Sequence, residues 1–387
     1  MNEGNTGERM SAGASGRART GELEARFADG IDLAKIRSMI NTARERAGAP
    51  VERILTLNLI GVHYSDASWE KAIAGLEAVS ALHPARIVGL IALPSESESL
   101  VSARVSVARP KGSAFFVERV VLRATGKAVR RLESALGELL VPEVPIVVMW
   151  GGRVEGPLLK RAIDSADRFI VDCGTRPPDA LTALQALVKH GAPVGDLAWA
   201  RIFPWQSLAA EVLDIPNLRE HRGNIKTVQI TTAGKPGAEA MLLAGWFLSR
   251  VKKVSVTVVE GAAPPPDSVP PPPSPAVAPQ VEISNSGARI SPPPAPEPLL
   301  PGQIVELRFD APPAIFLLRR EKNGILDAQV SGDDDGEIAH RLRLPAATPG
   351  ALLAHELKLL SGCDDVYAAA LEEASRFEAR WRAGKPA

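Results

Sequence analysis

Hydrophobic and polar positions along this chain alternate between two periods, and the order of that alternation predicts its architecture. Four short apolar runs, Val51–Ile60, Arg86–Leu93, Ile146–Trp150 and Arg168–Asp172, read as strands, the third as a central strand buried on both faces. Between and around them lie stretches of helical spacing at Ala67–Ala81, Gly126–Leu140, Pro157–Ala166 and Pro178–His190. In the second of these, Val129, Leu132, Leu136 and Leu139 fall on one stripe. An earlier helix is predicted from Ile31, Leu33, Ile36, Met39 and Ile40. Strands alternating with helices of this length require parallel crossovers. Leu100–Ala108 and Ala114–Ala124 break the rule. They are neighbouring β-like runs joined by Arg109-Pro110-Lys111-Gly112, whose turn chemistry predicts an antiparallel hairpin and so a mixed sheet.

The pattern resumes with helix Gln206–Leu213, strand Ile225–Thr231, helix Ala238–Arg250 and strand Lys252–Val259. Residues 261–301 then hold several proline tracts. Proline fixes φ and lacks an N–H, so this stretch reads as a polyproline linker or surface insertion. Strand-like segments follow around Leu307, Phe316–Leu318 and Leu326–Val330, then helices near Gly350–Leu360 and Asp364–Arg382. Residues 1–25 are set apart as a tail, since the Gly/Ser/Arg-rich start carries too few apolar side chains to offset ordering. The expected fold class is mixed α/β: a mixed parallel and antiparallel sheet with flanking helices, plus a smaller α+β C-terminal domain. The expected division is an α/β domain over 26–195, a second domain begun by 196–260, the linker at 261–301, and its α+β completion over 302–387.

Charge and composition narrow the function classes. The 387 residues carry 45 Lys+Arg and 45 Asp+Glu, so no net basic character points to a nucleic-acid partner. Two cysteines, Cys173 and Cys363, and six scattered histidines give neither a disulfide framework nor metal-ligand spacing. No apolar run is long enough for a membrane span, and the first residues lack a secretory h-region, so a cytoplasmic protein is expected.

Searches for catalytic signatures return little. GxxxxGK[ST], GxGxxG and GxSxG are absent. Trp150-Gly151-Gly152-Arg153, between a strand and a helix, could hold an anion on backbone N–H groups with help from Arg153 and Lys160. That would suit a sugar-phosphate module or an α/β enzyme with His83 as base. The competing reading of the glycine pair is a sharp turn. Cys173 reads as an inert buried thiol, and Asp333–Asp335 as an acidic hairpin turn. Aromatic residues are only 4% of the chain, yet Trp199, Phe203 and Trp205 crowd one segment with Arg201. Trp with Arg is typical of interface anchors, so a partner surface is one reading. A core corner with Arg201 paired to Asp196 is the other. No catalytic residue, cofactor or metal is expected.

At these residues the chain resembles a known family, the OpcA glucose-6-phosphate dehydrogenase assembly proteins. The resemblance runs through Ile54–Ile60 and His83–Val88, then Glu118–Leu122, Leu139–Pro145 and Trp150. It continues through Ala166–Asp172 with Asp196–Trp205, and Leu243–Arg250. It implies a non-catalytic protein that binds glucose-6-phosphate dehydrogenase and promotes its assembly or activation. Trp199, Arg201 and Trp205 are then the expected anchors, with Arg86 and Trp150 behind them. Photosynthetic relatives are linked to thiol redox control, whereas Cys173 and Cys363 here form no CxxC pair.

Overall fold

The computed structural model describes residues 22–27, 30–49, 55–109, 113, 115–175, 180–262, 299–321, 324–331, 338–344, 347–359 and 362–384. Two sheets organise them. The first contains β1 (Leu23–Phe27), β2 (Leu57–His63), β3 (Ala85–Leu93), β4 (Val101–Ala108), β5 (Val117–Thr125), β6 (Ile146–Trp150), β7 (Arg168–Val171) and β8 (Val194–Asp196). Its order is β1-β4-β5-β3-β2-β6-β7-β8. From β5 to β8 all neighbours are parallel, and β4 and β1 close one side antiparallel.

Helix α2 (Asp66–Ser80) joins β2 to β3, and α3 (Arg131–Glu138) lies between β5 and β6. The chain thus winds outward one way from β2, then returns to lay β6 on its other side. Those two strands form the switch point of a doubly wound sheet. Helices α1 (Leu33–Ala47), α3, α4 (Pro157–Ser165) and α5 (Ala180–Lys189) share one core with one side of this sheet. Helix α2 covers the other with α8 (Pro349–Glu356), which arrives from far along the chain.

Glycine placement in the strands follows from packing. A side chain at Gly89 would lie 2.6 Å from Trp69, and one at Gly61 2.9 Å from it. Both glycines make room for this indole, which α2 lays flat on the sheet.

The second sheet runs β10-β9-β11-β12-β13-β14. It is built from β9 (Thr227–Ala233), β10 (Ser255–Gly261), β11 (Ile304–Ala311), β12 (Ala314–Arg320), β13 (Ile325–Ser331) and β14 (Ile338–Arg343). Strand β9 pairs parallel with β10 and antiparallel with β11, so the segments on either side of the proline tracts share one sheet. Helix α7 (Ala238–Arg250) covers one face, backed by α9 (Asp365–Arg382), and α6 (Leu197–Asp214) links the two sheets.

Several expectations change. Leu23–Ala25, assigned to the tail, begin β1, which pairs in register with Phe27 opposite Val101. Strand β2 starts at Leu57, whereas residues 51–54 lie outside the described set. Strand β14 escaped notice because its sequence, Ile-Ala-His-Arg-Leu-Arg, is half polar. The predicted helix at Gln206–Leu213 is only the second half of α6. Pro204 sits inside that helix, and residues on every side of it are buried, so neither a break nor a stripe marked its first half. The C-terminal region does not stand apart, since α8 completes the first sheet's core. The proline tracts and Asp333–Asp335 fall outside the described residues.

Helices α7 and α9 touch at Gly245. A Cβ there would lie 2.7 Å from the Ala374 amide nitrogen and 2.8 Å from its Cβ. Both partners are helix-bound and cannot swing aside. Gly245→Ala is expected to lower stability by about 1–3 kcal/mol despite the better helix propensity of alanine, read as a shifted denaturant midpoint.

Candidate functional site

Two places gather the residues that could carry function: the switch-point crevice, and the joint between the sheets.

At the switch point, β2 ends in His63-Tyr64 and β6 in Trp150-Gly151-Gly152. In doubly wound folds a ligand enters between such strand ends, with phosphate on the following helix. Here the chain itself narrows the crevice, with His63 buried and Tyr64 left 37% exposed. The Gly151 N–H donates to the Val62 carbonyl at 2.7 Å, extending the strand pairing past the last ladder residues. A Cβ on Gly152 would lie 2.5 Å from Tyr64 Cδ2, and one on Gly151 2.5 Å from His63 Nδ1. The Tyr64 ring sits edge-on to Trp150 at 6.0 Å. His63, buried, shares a 2.7 Å hydrogen bond with Ser68 Oγ and packs on Trp69.

The start of α2 is also occupied. Ser65 accepts from the Ser68 N–H, and Asp66 places a carboxylate in the first turn, where a phosphate would bind. Arg123 neutralises it at 3.1 Å and reaches Glu96 at 2.8 Å.

The four anion candidates are therefore not assembled. Gly151 has spent its N–H on Val62, and Gly152 supports Tyr64. Arg153 is exposed and paired with Glu155 at 3.0 Å. Lys160 lines a surface cavity with Leu159, Ile163 and His190. Helix α4 opens with Pro157, which has no N–H to offer.

At the joint, Asp196 ends β8 and caps α6. Its Oδ1 accepts from the Ala198 N–H at 2.9 Å and the Cys173 N–H at 3.1 Å; its Oδ2 accepts from Tyr367 Oη at 3.2 Å. The carboxylate is fully buried, and burial raises its pKa. Arg201 lies one turn into α6. It binds Glu239 of α7 at 2.6 Å and Asp172 after β7, the pairing with Asp196 giving way to these two. Burial opposes the Arg201 charge, yet Glu239 and Asp172 outweigh it and raise its pKa; burial also raises that of Glu239. Burial pushes the Cys173 thiol well up and the Cys363 thiol up to about 11, so both are protonated near neutrality.

The expected anchors accordingly belong to the interior. Trp199 is 7% exposed and packs on Tyr367 with centroids 5.5 Å apart. Trp205 and Trp150 are buried, the Trp150 Nε1–H donating to the Arg153 carbonyl. Arg86 is buried against Glu118 at 2.8 Å and the Leu139 carbonyl, and Glu118 also takes Arg44. Trp199, Trp150 and Arg86 are closed in among the described residues, whereas half-buried Arg201 and the edge of Trp205 line a small cavity with Gln303, Ile304 and Arg320. Phe203 alone of the aromatic segment is largely exposed, at 46%, its ring tilted against His355 with centroids 4.8 Å apart. His83 has no described catalytic partner beside it.

Residue type alone did not mark Tyr64, Asp172, Glu239 or Tyr367. The available signals were an Asp directly before a helix at 196 and an acidic first turn at 239. A third joint is Arg168, which donates to Glu356 at 2.6 Å and to the Gly362 carbonyl at 2.7 Å, tying β7 to α8. Burial lifts the Glu356 carboxyl from 4.5 to about 7 against the pull of Arg168.

A doubly wound sheet with helices on both faces, joined through Asp196 and Arg201 to a second mixed sheet, defines an α/β chain of two sheet units. Two family models match it: the glucose-6-phosphate dehydrogenase subunit N-terminal domain over residues 76–189, and the C-terminal domain of the same subunit over 192–371. The chain belongs to the OpcA family. OpcA of Synechocystis sp., named an OxPP cycle protein, is 29% identical over 264 residues, covering 66% of this chain and 54% of that protein. Its namesake from Nostoc punctiforme is 31% identical over 199 residues, covering 47% and 43%. The chain spans about half the length of these curated relatives. Among solved structures, an NAD binding oxidoreductase from Klebsiella pneumoniae overlaps 84% of this chain and 95% of its own at 11% identity and a TM-score of 0.42. Levoglucosan dehydrogenase in its apo form overlaps 84% and 98% at 0.38. Likeness at that level carries no functional weight.

Two outcomes follow from the joint. Arg201→Ala strands two half-buried carboxylates and is expected to cost about 1–3 kcal/mol, read by urea unfolding at neutral pH. For Glu356 the folded state holds a proton that the unfolded chain releases. Its stabilising contribution is thus full below pH 4.5 and lost as pH rises through about 7. Glu356→Gln is expected to remove that loss, so wild type and variant diverge across this window in pH-resolved unfolding.

Proposed function

We propose that this chain is a non-catalytic cytoplasmic assembly factor that binds glucose-6-phosphate dehydrogenase and shifts it toward an active state in the oxidative pentose phosphate pathway. The observation that carries this reading is the match of both domain models of that enzyme's subunit, one on each side of residue 190. The geometry supports it from a second direction. The crevice where an α/β fold takes a ligand is narrowed by Tyr64 and His63, and Arg201, Asp172, Glu239 and Asp196 are consumed in holding the sheets together. Such a chain acts through surface and shape. An activator of this kind needs only to bind the active conformation better than the inactive one, by about 1–3 kcal/mol for roughly 5–150-fold coupling. Phe203, beside His355, replaces the buried tryptophans as the contact residue of the aromatic segment.

The enzyme from the same organism, assayed at subsaturating glucose 6-phosphate with increasing amounts of this chain, is expected to gain activity up to a fixed molar ratio. The two are expected to co-elute on sizing, and Phe203→Ala to weaken that co-elution while remaining folded. Unchanged activity together with separate elution would overturn the proposal.

A further inference from the structure

Among the described residues, helices cover the second sheet on one face. Val228, Ile230, Val256, Leu307, Phe309, Phe316 and Leu318 point inward, with Phe309 against Phe247 of α7. Among the described residues no helix lies on the opposite face. Strand register arranges that face in rows. One row runs Val259, Thr231, Glu306, Arg319, Asp327, Arg341; the next runs Thr257, Gln229, Arg308, Leu317, Gln329; a third runs Ser255, Thr227, Asp310, Ile315, Ser331.

Three properties of this face point to what covers it. The apolar pair Leu317 and Ile315 sits on β12, inside the sheet rather than at its edge, with Ile315 36% exposed. Around the pair, Glu306 binds Arg319 at 2.7 Å, Arg308 binds Asp310 at 2.9 Å and Asp327 binds Arg341 at 2.8 Å. An apolar centre with a polar rim is the layout of an interface. Second, those three carboxylates and three guanidiniums cancel, so the paired rim meets a copy of itself without net repulsion, with Arg343 lying apart at the β14 corner. Third is size. Strands about 4.8 Å apart, rising about 3.3 Å per residue, make the face roughly 29 by 23 Å, or about 1,300 Å² for two copies. A stable interface buries about 1,200–2,000 Å². Edge-to-edge pairing is disfavoured at β14, whose Arg341 and Arg343 would confront their own kind.

We propose that a second copy of this chain docks on this face, sheet against sheet about a two-fold axis, with Leu317 and Ile315 at the centre. A two-fold interface requires a self-complementary patch, which the neutral paired rim supplies. The proposal does not depend on the dehydrogenase reading.

Light scattering and sedimentation of the full chain, from low to high micromolar, test it directly. A reversible dimer is expected. Leu317→Lys and Ile315→Lys are each expected to raise its dissociation constant about tenfold or more, with circular dichroism and melting unchanged. Thr257→Glu, at an exposed position outside the apolar centre and opposite uncharged Gln229, is expected to weaken it by burying an unpaired charge and guards against a folding defect in the first pair. A wild-type chain that stays monomeric throughout overturns the proposal, as does a dimer that ignores all these changes. A monomeric wild type whose Leu317→Lys form no longer co-elutes with the dehydrogenase would also overturn it, assigning the face to the enzyme. Failure of dehydrogenase activation alone, with the dimer intact, would count only against the function proposed above.

Discussion

One buried carboxylate stands where the first sheet hands the chain to the second. Asp196 ends the first sheet, opens the helix that carries the chain to the second, and accepts a hydroxyl from Tyr367 on α9. It also holds the Cys173 amide in the turn after β7. A lone buried charge is costly, and this one is tolerated because three donors converge on it. Arg201, five residues later, repeats the device with opposite sign by drawing Asp172 and Glu239 together. The two sheets are therefore joined by directional bonds as well as by a shared apolar core.

The same economy explains the fate of the switch-point crevice. Doubly wound sheets leave a gap where the winding reverses, and a ligand ordinarily fills it. Tyr64, His63 and the Gly151–Val62 bond narrow it here with the chain's own atoms, and Asp66 stands at the helix start with Arg123. The fold retains the topology of a binding scaffold while its own side chains narrow the central cleft.

The alternation of apolar runs with amphipathic stretches was enough to read the sheet-and-helix order, because both periodicities are local. Ile146–Trp150 and Ala238–Arg250 stand in the structure as the pattern predicts. Local pattern failed at the first half of α6, where apolar residues and Arg201 follow no stripe, and at β14, half polar at a sheet edge. The site was less legible for a different reason. Residue type flagged Arg201 and the tryptophans beside it, but their meaning lay in partners 29, 38 and about 170 residues away, Asp172, Glu239 and Tyr367. A Trp-Arg cluster looks alike in an interface and in a hinge until those partners are placed.

The reach of α8 back to the first sheet has a consequence for how the molecule is made. Arg168 and Glu356 are 188 residues apart, and the α2 side of the sheet stays open until Leu352, Leu353 and Leu357 arrive. On a ribosome, most of the polypeptide must emerge before this side can be sealed. The N-terminal layer thus waits with an apolar surface uncovered, the condition under which chaperones engage a nascent chain.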